Sequence, residues 1–124
     1  MVQPDNLRSM VYVGNVVAAV LAGLDALPAG GVAPSTYIVK DEADCSTRMI
    51  YSLICRELGK TPRFLPLPNV LGRIAGAISE DFRKVTSSFR VSSAKIREEI
   101  GFVPPVSWEE GIARTVRWYK RSVR

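Results

Sequence analysis

The stretch Asn6-Leu7-Arg8-Ser9-Met10-Val11-Tyr12-Val13-Gly14-Asn15-Val16-Val17 decides how the rest of the chain is read. Ser9 to Val13 is a short β-prone run, and Gly14-Asn15 follows as a turn or helix cap. A helix is predicted to start at once. Val16, Val17, Val20, Leu21 and Leu24 fall at helical spacing and set a broad apolar stripe on one face. Leu27-Pro28 ends it, because proline disfavours helix in the residue before it, and Ala29 to Pro34 reads as a surface loop.

Working outward, β-branched and aromatic residues at Thr36-Tyr37-Ile38-Val39 predict a second strand, with Lys40 to Asp44 as polar connection. Ser46 is placed to cap a second helix whose Met49, Ile50, Leu53, Ile54 and Leu58 share a face, with Gly59-Lys60 as terminator. Arg63-Phe64-Leu65 reads as a short strand. A third helix is expected from Pro68 or Asn69, with Val70, Leu71, Ile74, Ala75 and Ile78 inward, although Gly72 and Gly76 lower its propensity. Glu80 to Arg90 is read as loop with one extended stretch. Ser92 or Ser93 then caps a short helix with Ile96 and Ile100 inward, ended by Gly101. The last helix opens on Ser107-Trp108-Glu109-Glu110, a capping box in which hydroxyl and carboxylate satisfy each other's orphan amides. Trp108, Ile112, Thr115, Tyr119 and Val123 mark its expected buried face, and its acids lie first and its bases last, as the helix dipole prefers.

The composition narrows the chemistry. With 124 residues, 47% hydrophobic and 23% charged, one modest globular core is the natural reading, so residues 1–124 are taken as one domain. No apolar run approaches the roughly 20 residues that span a bilayer, and the start has no signal core. A cytoplasmic protein without a membrane partner is the expectation. Seventeen basic against twelve acidic residues give +5, which favours anionic partners without naming one. The basic stripe on the last helix has few interleaved aromatics and reads as a solvated face, so no nucleic-acid partner is expected. Cys45 and Cys55 are poorly placed to bridge and are read as free thiols. The absence of histidine excludes a His-ligated metal and an ordinary Ser-His-Asp triad.

Three segments, in order and spacing, carry a resemblance. Asn6 to Val17 resembles a segment of the type Arg-Ser/Asp-aromatic-Val-Tyr/His-Val-Asp-Asn/Asp-Leu/Val. Thr36 to Asp41 is similar to a "Tyr-Asn-Val-Gly-Asp" strand followed by a Ser-initiated helix. Val91 to Tyr119, with Ser93-Ala94-Lys95-Ile96, Ile100-Gly101-Phe102 and Pro104 to Ile112, resembles a terminal signature. All three belong to the NAD-dependent epimerase/dehydratase family, the extended short-chain dehydrogenase/reductases, and the closest branch in pattern is UDP-glucose 4-epimerase-like. The resemblance implies an α/β fold: the helix-rich C-terminal part of an extended short-chain dehydrogenase/reductase (Rossmann-type) fold, with the dinucleotide-binding N-terminal part missing.

The family's chemistry uses a nicotinamide, a tyrosine base and a lysine beside it. No Tyr-x-x-x-Lys occurs here: the fourth residues after Tyr12, Tyr37, Tyr51 and Tyr119 are Val16, Asp41, Cys55 and Val123. Nor is there a glycine-rich loop to seat a pyrophosphate on a helix start. The expectation is therefore that NAD or NADP belongs to a parent enzyme, that this chain alone binds neither and carries no catalytic residue, and that it contributes the substrate-binding part of a nucleotide-sugar epimerase or dehydratase. The resemblance points to a UDP-sugar used in surface-polysaccharide synthesis. The alternative is a standalone anion-binding or regulatory module without chemistry.

Guanidinium forks match a sugar-linked diphosphate two oxygens at a time. Arg8 occupies the place of the family's diphosphate-contacting arginine; the plainer reading is an exposed strand-end charge. Arg83 fits the position of the family's second phosphate-binding arginine, with Arg90 competing for that role, and either can be a solvated loop charge. Tyr12 and Asn15 lie in the matched motif, although burial of a strand tyrosine and helix capping by an asparagine explain them adequately without substrate contact. Gly14 departs from the family's aspartate. The partners implied are a nucleotide-sugar diphosphate and the absent Rossmann half. Without that half, apolar surface stands open, and a homo-oligomer is expected.

Overall fold

The computed structural model describes residues 6–26, 35–64 and 88–123. Within them the chain is helix-rich with one small sheet. Strand β1 (Leu7–Arg8) is followed by helix α1 (Val13–Asp25), strand β2 (Cys45–Ser46), and helices α2 (Thr47–Glu57), α3 (Ala94–Ile100) and α4 (Trp108–Ser122). β1 and β2 pair antiparallel with Leu7 opposite Ser46 and Arg8 opposite Cys45. On the other side of β1, Phe89 makes a parallel bridge to Arg8, with Ser9 N donating to Phe89 O at 2.8 Å and Phe89 N to Leu7 O at 3.0 Å. Three segments distant in sequence thus meet at residues 7 to 9.

The expected strand at Ser9 to Val13 is displaced towards the N-terminus, and helix α1 starts at Val13 with Tyr12 as N-cap. Asn15 consequently lies inside the first turn and is not a cap. Its side chain ties it to the rest of the fold: Nδ2 donates to Asp41 Oδ1 at 2.6 Å and to Val106 O at 2.7 Å. That anchor sets the rotation of the helix. Ala18, Ala19 and Ala22 follow Asn15 at three, four and seven positions and so face inward with it; they pack with Ile96, Phe102, Tyr37, Val39 and Ile100. The Val/Leu stripe that periodicity assigns to the core is turned outward, and Val17, Val20, Leu21 and Leu24 are each more than half exposed.

Thr36 to Val39 forms no strand. Just beyond it one backbone bond, Asp41 N to Met10 O at 2.7 Å, joins the chain to the segment after β1 in place of a ladder. Its side chains still serve the core, as Tyr37 and Val39 pack there. Arg63-Phe64 likewise forms no strand; Phe64 stacks edge-on against Tyr51 beneath the Arg48 guanidinium. The expected helix from Pro68 to Ile78 lies outside the described residues, as does Leu65.

Local chemistry fixes the other helix ends. Ser46 caps α2 by accepting from Met49 N at 3.2 Å, and Gly59 and Gly101 adopt φ of 70° and 67°, the left-handed turn that stops α2 and α3. Ser92, not the N-cap Ser93, supplies the hydroxyl at the start of α3, accepting from Ala94 N. At α4 the forward half of the capping box forms, Ser107 Oγ accepting from Glu110 N; the Glu110 carboxylate turns instead to Arg114 and Arg117, both at 2.9 Å. α4 packs on α2; Gly111, Ala113 and Val116 are its buried residues, while Tyr119 and Val123, expected on the buried face, stand exposed. A Cβ at Gly111 would come within 2.8 Å of Tyr12 Cβ, so the glycine lets α4 approach that ring closely.

Candidate functional site

Successive side chains along an extended segment leave on opposite faces, while directly paired residues share one. Arg8, Cys45 and Phe89 are therefore on one face of the small sheet, and Ser9 and Arg90 are on the other. Contacts agree with this division. Ser9 Oγ donates to Asp44 Oδ1 at 2.7 Å and accepts from Val91 N at 3.0 Å, and Arg90 Nε reaches Asp44 Oδ2 at 2.7 Å.

Asp44 is the centre of that second face. Lys40 Nζ joins it at 2.8 Å, so one carboxylate with little exposure receives Lys40, Ser9 and Arg90. Their hydrogen bonds, Lys40 first, hold its carboxyl well below the usual carboxylate range. Arg90 thus already has a carboxylate partner, which it shares with Lys40. The structure does not bring it together with Arg8, and Arg83 lies outside the described residues.

On the first face, a cavity of about 400 Å³ opens between the segment after β1, α2 and α4. Met10, Tyr12 and Cys45 form one wall, Ile50 and Ile54 another, and Trp108, Ile112 and Thr115 line the α4 side. Arg8 leaves the sheet on the same side as Cys45, is half-buried, and has no carboxylate partner among the described residues. Of the five residues singled out from sequence, Arg8 and Tyr12 share this face, and Tyr12 is itself part of the wall. Asn15 is fully buried, and its amide is spent within the protein: besides the two donated bonds, its oxygen accepts from Val106 N at 3.1 Å. It positions Asp41 and the 106 segment.

Asp41, Cys45 and Trp108 are the residues that sequence reading did not single out here. Asp41 ends the "Tyr-Asn-Val-Gly-Asp"-like motif, and that was its signal; the cavity walls had none. Cys45 Sγ lies 3.7 Å from Met10 Sδ. Burial, with Asp41, Asp44 and Glu109 nearby, pushes its thiol up, away from the reactive thiolate form. Both cysteines are free and buried.

Among the described residues, the start of α1 does not fit the pyrophosphate of a dinucleotide. The amide-rich start of α1 is the natural place for a pyrophosphate, but Asp41 already occupies it: both carboxylate oxygens accept from Tyr12 N at 3.1 Å. The Tyr12 ring also covers Gly14, where a Cβ would fall 2.5 Å from Tyr12 Cε1. Among the described residues no group of three or more His, Cys, Asp or Glu is arranged to hold a metal ion, and no helix is long and apolar enough to cross a membrane.

No family model matches the chain. It is similar to N-acetyl-alpha-D-glucosaminyl-diphospho-ditrans,octacis-undecaprenol 4-epimerase of Escherichia coli O157:H7, 26% identical over 127 residues, covering 91% of this chain and 38% of that protein. It is also similar to UDP-glucose 4-epimerase of Vibrio cholerae, 27% identical over 116 residues, covering 90% of this chain and 34% of that protein. The chain therefore spans between a third and two fifths of the length of these curated relatives.

Proposed function

We propose that this chain, a relative of the nucleotide-sugar epimerases, is the substrate-binding part of an NAD(P)-dependent epimerase or dehydratase acting on a sugar carried by a diphosphate, with a UDP-sugar of surface-polysaccharide synthesis as the first choice. The observation that carries the reading is Arg8: a half-buried guanidinium with no acidic partner among the described residues, on the cavity side of the sheet. Arg90, one residue beyond its strand neighbour, is bonded to Asp44. A cation without an acidic partner among the described residues, on the same side of the sheet as an apolar cavity, suits a ligand with one anionic and one less polar end. Both similar proteins have names that place a sugar on a diphosphate. In this reading the redox step, and the NAD(P) it needs, belong to polypeptide beyond these 124 residues. The exposed Val/Leu face of α1 is the surface that such polypeptide would cover.

Calorimetric titration of UDP-glucose, UDP-N-acetylglucosamine, inorganic diphosphate and NAD into the chain tests this. Arg8→Ala is expected to weaken sugar-nucleotide binding by about tenfold or more, the scale of a lost charge-assisted bond. Arg90→Ala is expected to change it little, and no turnover is expected. Tight NAD binding, or indifference to Arg8→Ala, would refute the assignment. Binding of inorganic diphosphate as tight as that of the sugar nucleotides would favour an anion-binding module without chemistry.

A further inference from the structure

The second half of α4 outruns the elements that bury its first half. Gly111, Ala113 and Val116 are its buried residues, and every residue from Arg117 to Val123 is exposed. Three of these are large and apolar or aromatic: Trp118 is 65% exposed, Tyr119 53% and Val123 64%.

Their arrangement around the axis is ordered. At 3.6 residues per turn, Trp118, Ser122, Tyr119 and Val123 occupy a sector of roughly 140°. Arg121 stands about 60° beyond Trp118 on one side, and Lys120 about 60° beyond Val123 on the other. Arg114 and Arg117 extend the Arg121 flank. They share one carboxylate, Glu110, so this flank keeps a net positive charge. Arg121 has no acidic partner among the described residues, and Lys120 Nζ rests on the carbonyl of Glu57, which neutralises nothing.

An aromatic and aliphatic sector bounded on both sides by long cations has a specific physical use. Indole and phenol rings favour the boundary between water and lipid. Lys and Arg stems lie along apolar surface while their charged ends reach outward. We propose that the outer half of α4 is a contact for an anionic bilayer surface, with Trp118, Tyr119 and Val123 in the headgroup boundary and Lys120 and Arg121 against lipid phosphates. That no helix among the described residues is long and apolar enough to cross a membrane bears on crossing a bilayer and not on lying at its surface. The chain's charge of +5 acts in the same direction. With three lipid-facing side chains the contact is reversible and salt-dependent.

The test is co-sedimentation of the full 124-residue chain with vesicles of phosphatidylcholine alone and of equal parts phosphatidylcholine and phosphatidylglycerol, at low and at high salt. The anionic vesicles are expected to bind at least about tenfold more strongly at low salt, and high salt is expected to remove the difference. Lys120→Glu with Arg121→Glu should lose about tenfold or more. Lipids brominated in the acyl chain should quench tryptophan emission in the unaltered chain and much less in Trp118→Phe, which leaves Trp108 as background. The salt dependence and the quenching need no altered chain, and circular dichroism verifies folding of the variants. Equal binding to both vesicle types, or quenching untouched by Trp118→Phe, overturns the proposal. So does binding to duplex DNA that exceeds vesicle binding and is lost in the same charge-reversed variant, which would make the face a nucleic-acid contact.

Discussion

Asn15 and Asp41 form a buried pair: Asn15 Nδ2 donates to Asp41 Oδ1 at 2.6 Å, and the same carboxylate accepts from Tyr12 N at the start of α1. Asn15→Ala would leave a carboxylate and both backbone groups of Val106 short of partners. Its expected cost is about 2–4 kcal/mol, because unsatisfied buried polar groups lose their full solvation. Asn15→Asp is expected to cost more, as it sets a second carboxylate against Asp41. Denaturant unfolding measures both; a loss below about 1 kcal/mol for Asn15→Ala would contradict the anchoring role.

Two glycines should respond in opposite directions. Gly111→Ala pushes a methyl to 2.8 Å from Tyr12 Cβ and is expected to destabilise by about 1–3 kcal/mol through overpacking. Gly23, inside α1, has nothing within 4 Å of an added Cβ, so Gly23→Ala is expected to gain about 0.5–1 kcal/mol of helix propensity. Thermal melting of the two variants side by side checks the pair.

Acid should weaken the fold through Asp44. Its folded carboxyl lies below the ordinary value of 3.8, first through Lys40, then Ser9 and Arg90, so the unfolded chain takes up its proton at higher pH than the folded one. The stabilisation is present above 3.8 and is lost as pH falls through and below that value. Asp44→Asn should remove this part of the acid dependence. Equal slopes for both proteins in pH-dependent unfolding would show that Asp44 is not responsible.

The outward Val/Leu face of α1 should make the chain associate with itself. Covering a few hundred Å² of such surface is worth on the order of several kcal/mol, enough to drive pairing at high concentration. Val17→Lys with Leu21→Lys is expected to shift sedimentation to the monomer while changing stability by no more than about 0.5 kcal/mol, as at other exposed sites. A monomer at high concentration without these changes would count against the expectation.

Helix positions were legible in the sequence wherever a local signal sufficed: Ser46, Ser107, Gly59 and Gly101 each set the end that their chemistry predicts. Helix rotation was not. Apolar periodicity ranks valine and leucine above alanine, but in α1 the Asn15 bonds to Asp41 and Val106 decide which side faces in. In α4 the close approach of Gly111 to the Tyr12 ring is set just as far from its own sequence neighbourhood. Both depend on partners 26 or more positions away, which no local window includes. The site followed the same rule. Arg8 was visible from its motif, whereas the capture of Arg90 by Asp44 depends on a contact across 46 positions. The aromatics of α4 were assigned inward, so the basic stripe beside them read as plain solvated charge.

The clasp around β1 joins Arg8 to Cys45 and to Phe89, and the Ser9 hydroxyl to the amide of Val91, 82 positions away. Closing so long a loop costs entropy before any contact repays it. During synthesis, the surroundings of Arg8 therefore cannot be completed until Val91 has left the ribosome, well after α1 and α2 have emerged. The proposed anion-binding arginine gains its finished setting only once that long loop has closed.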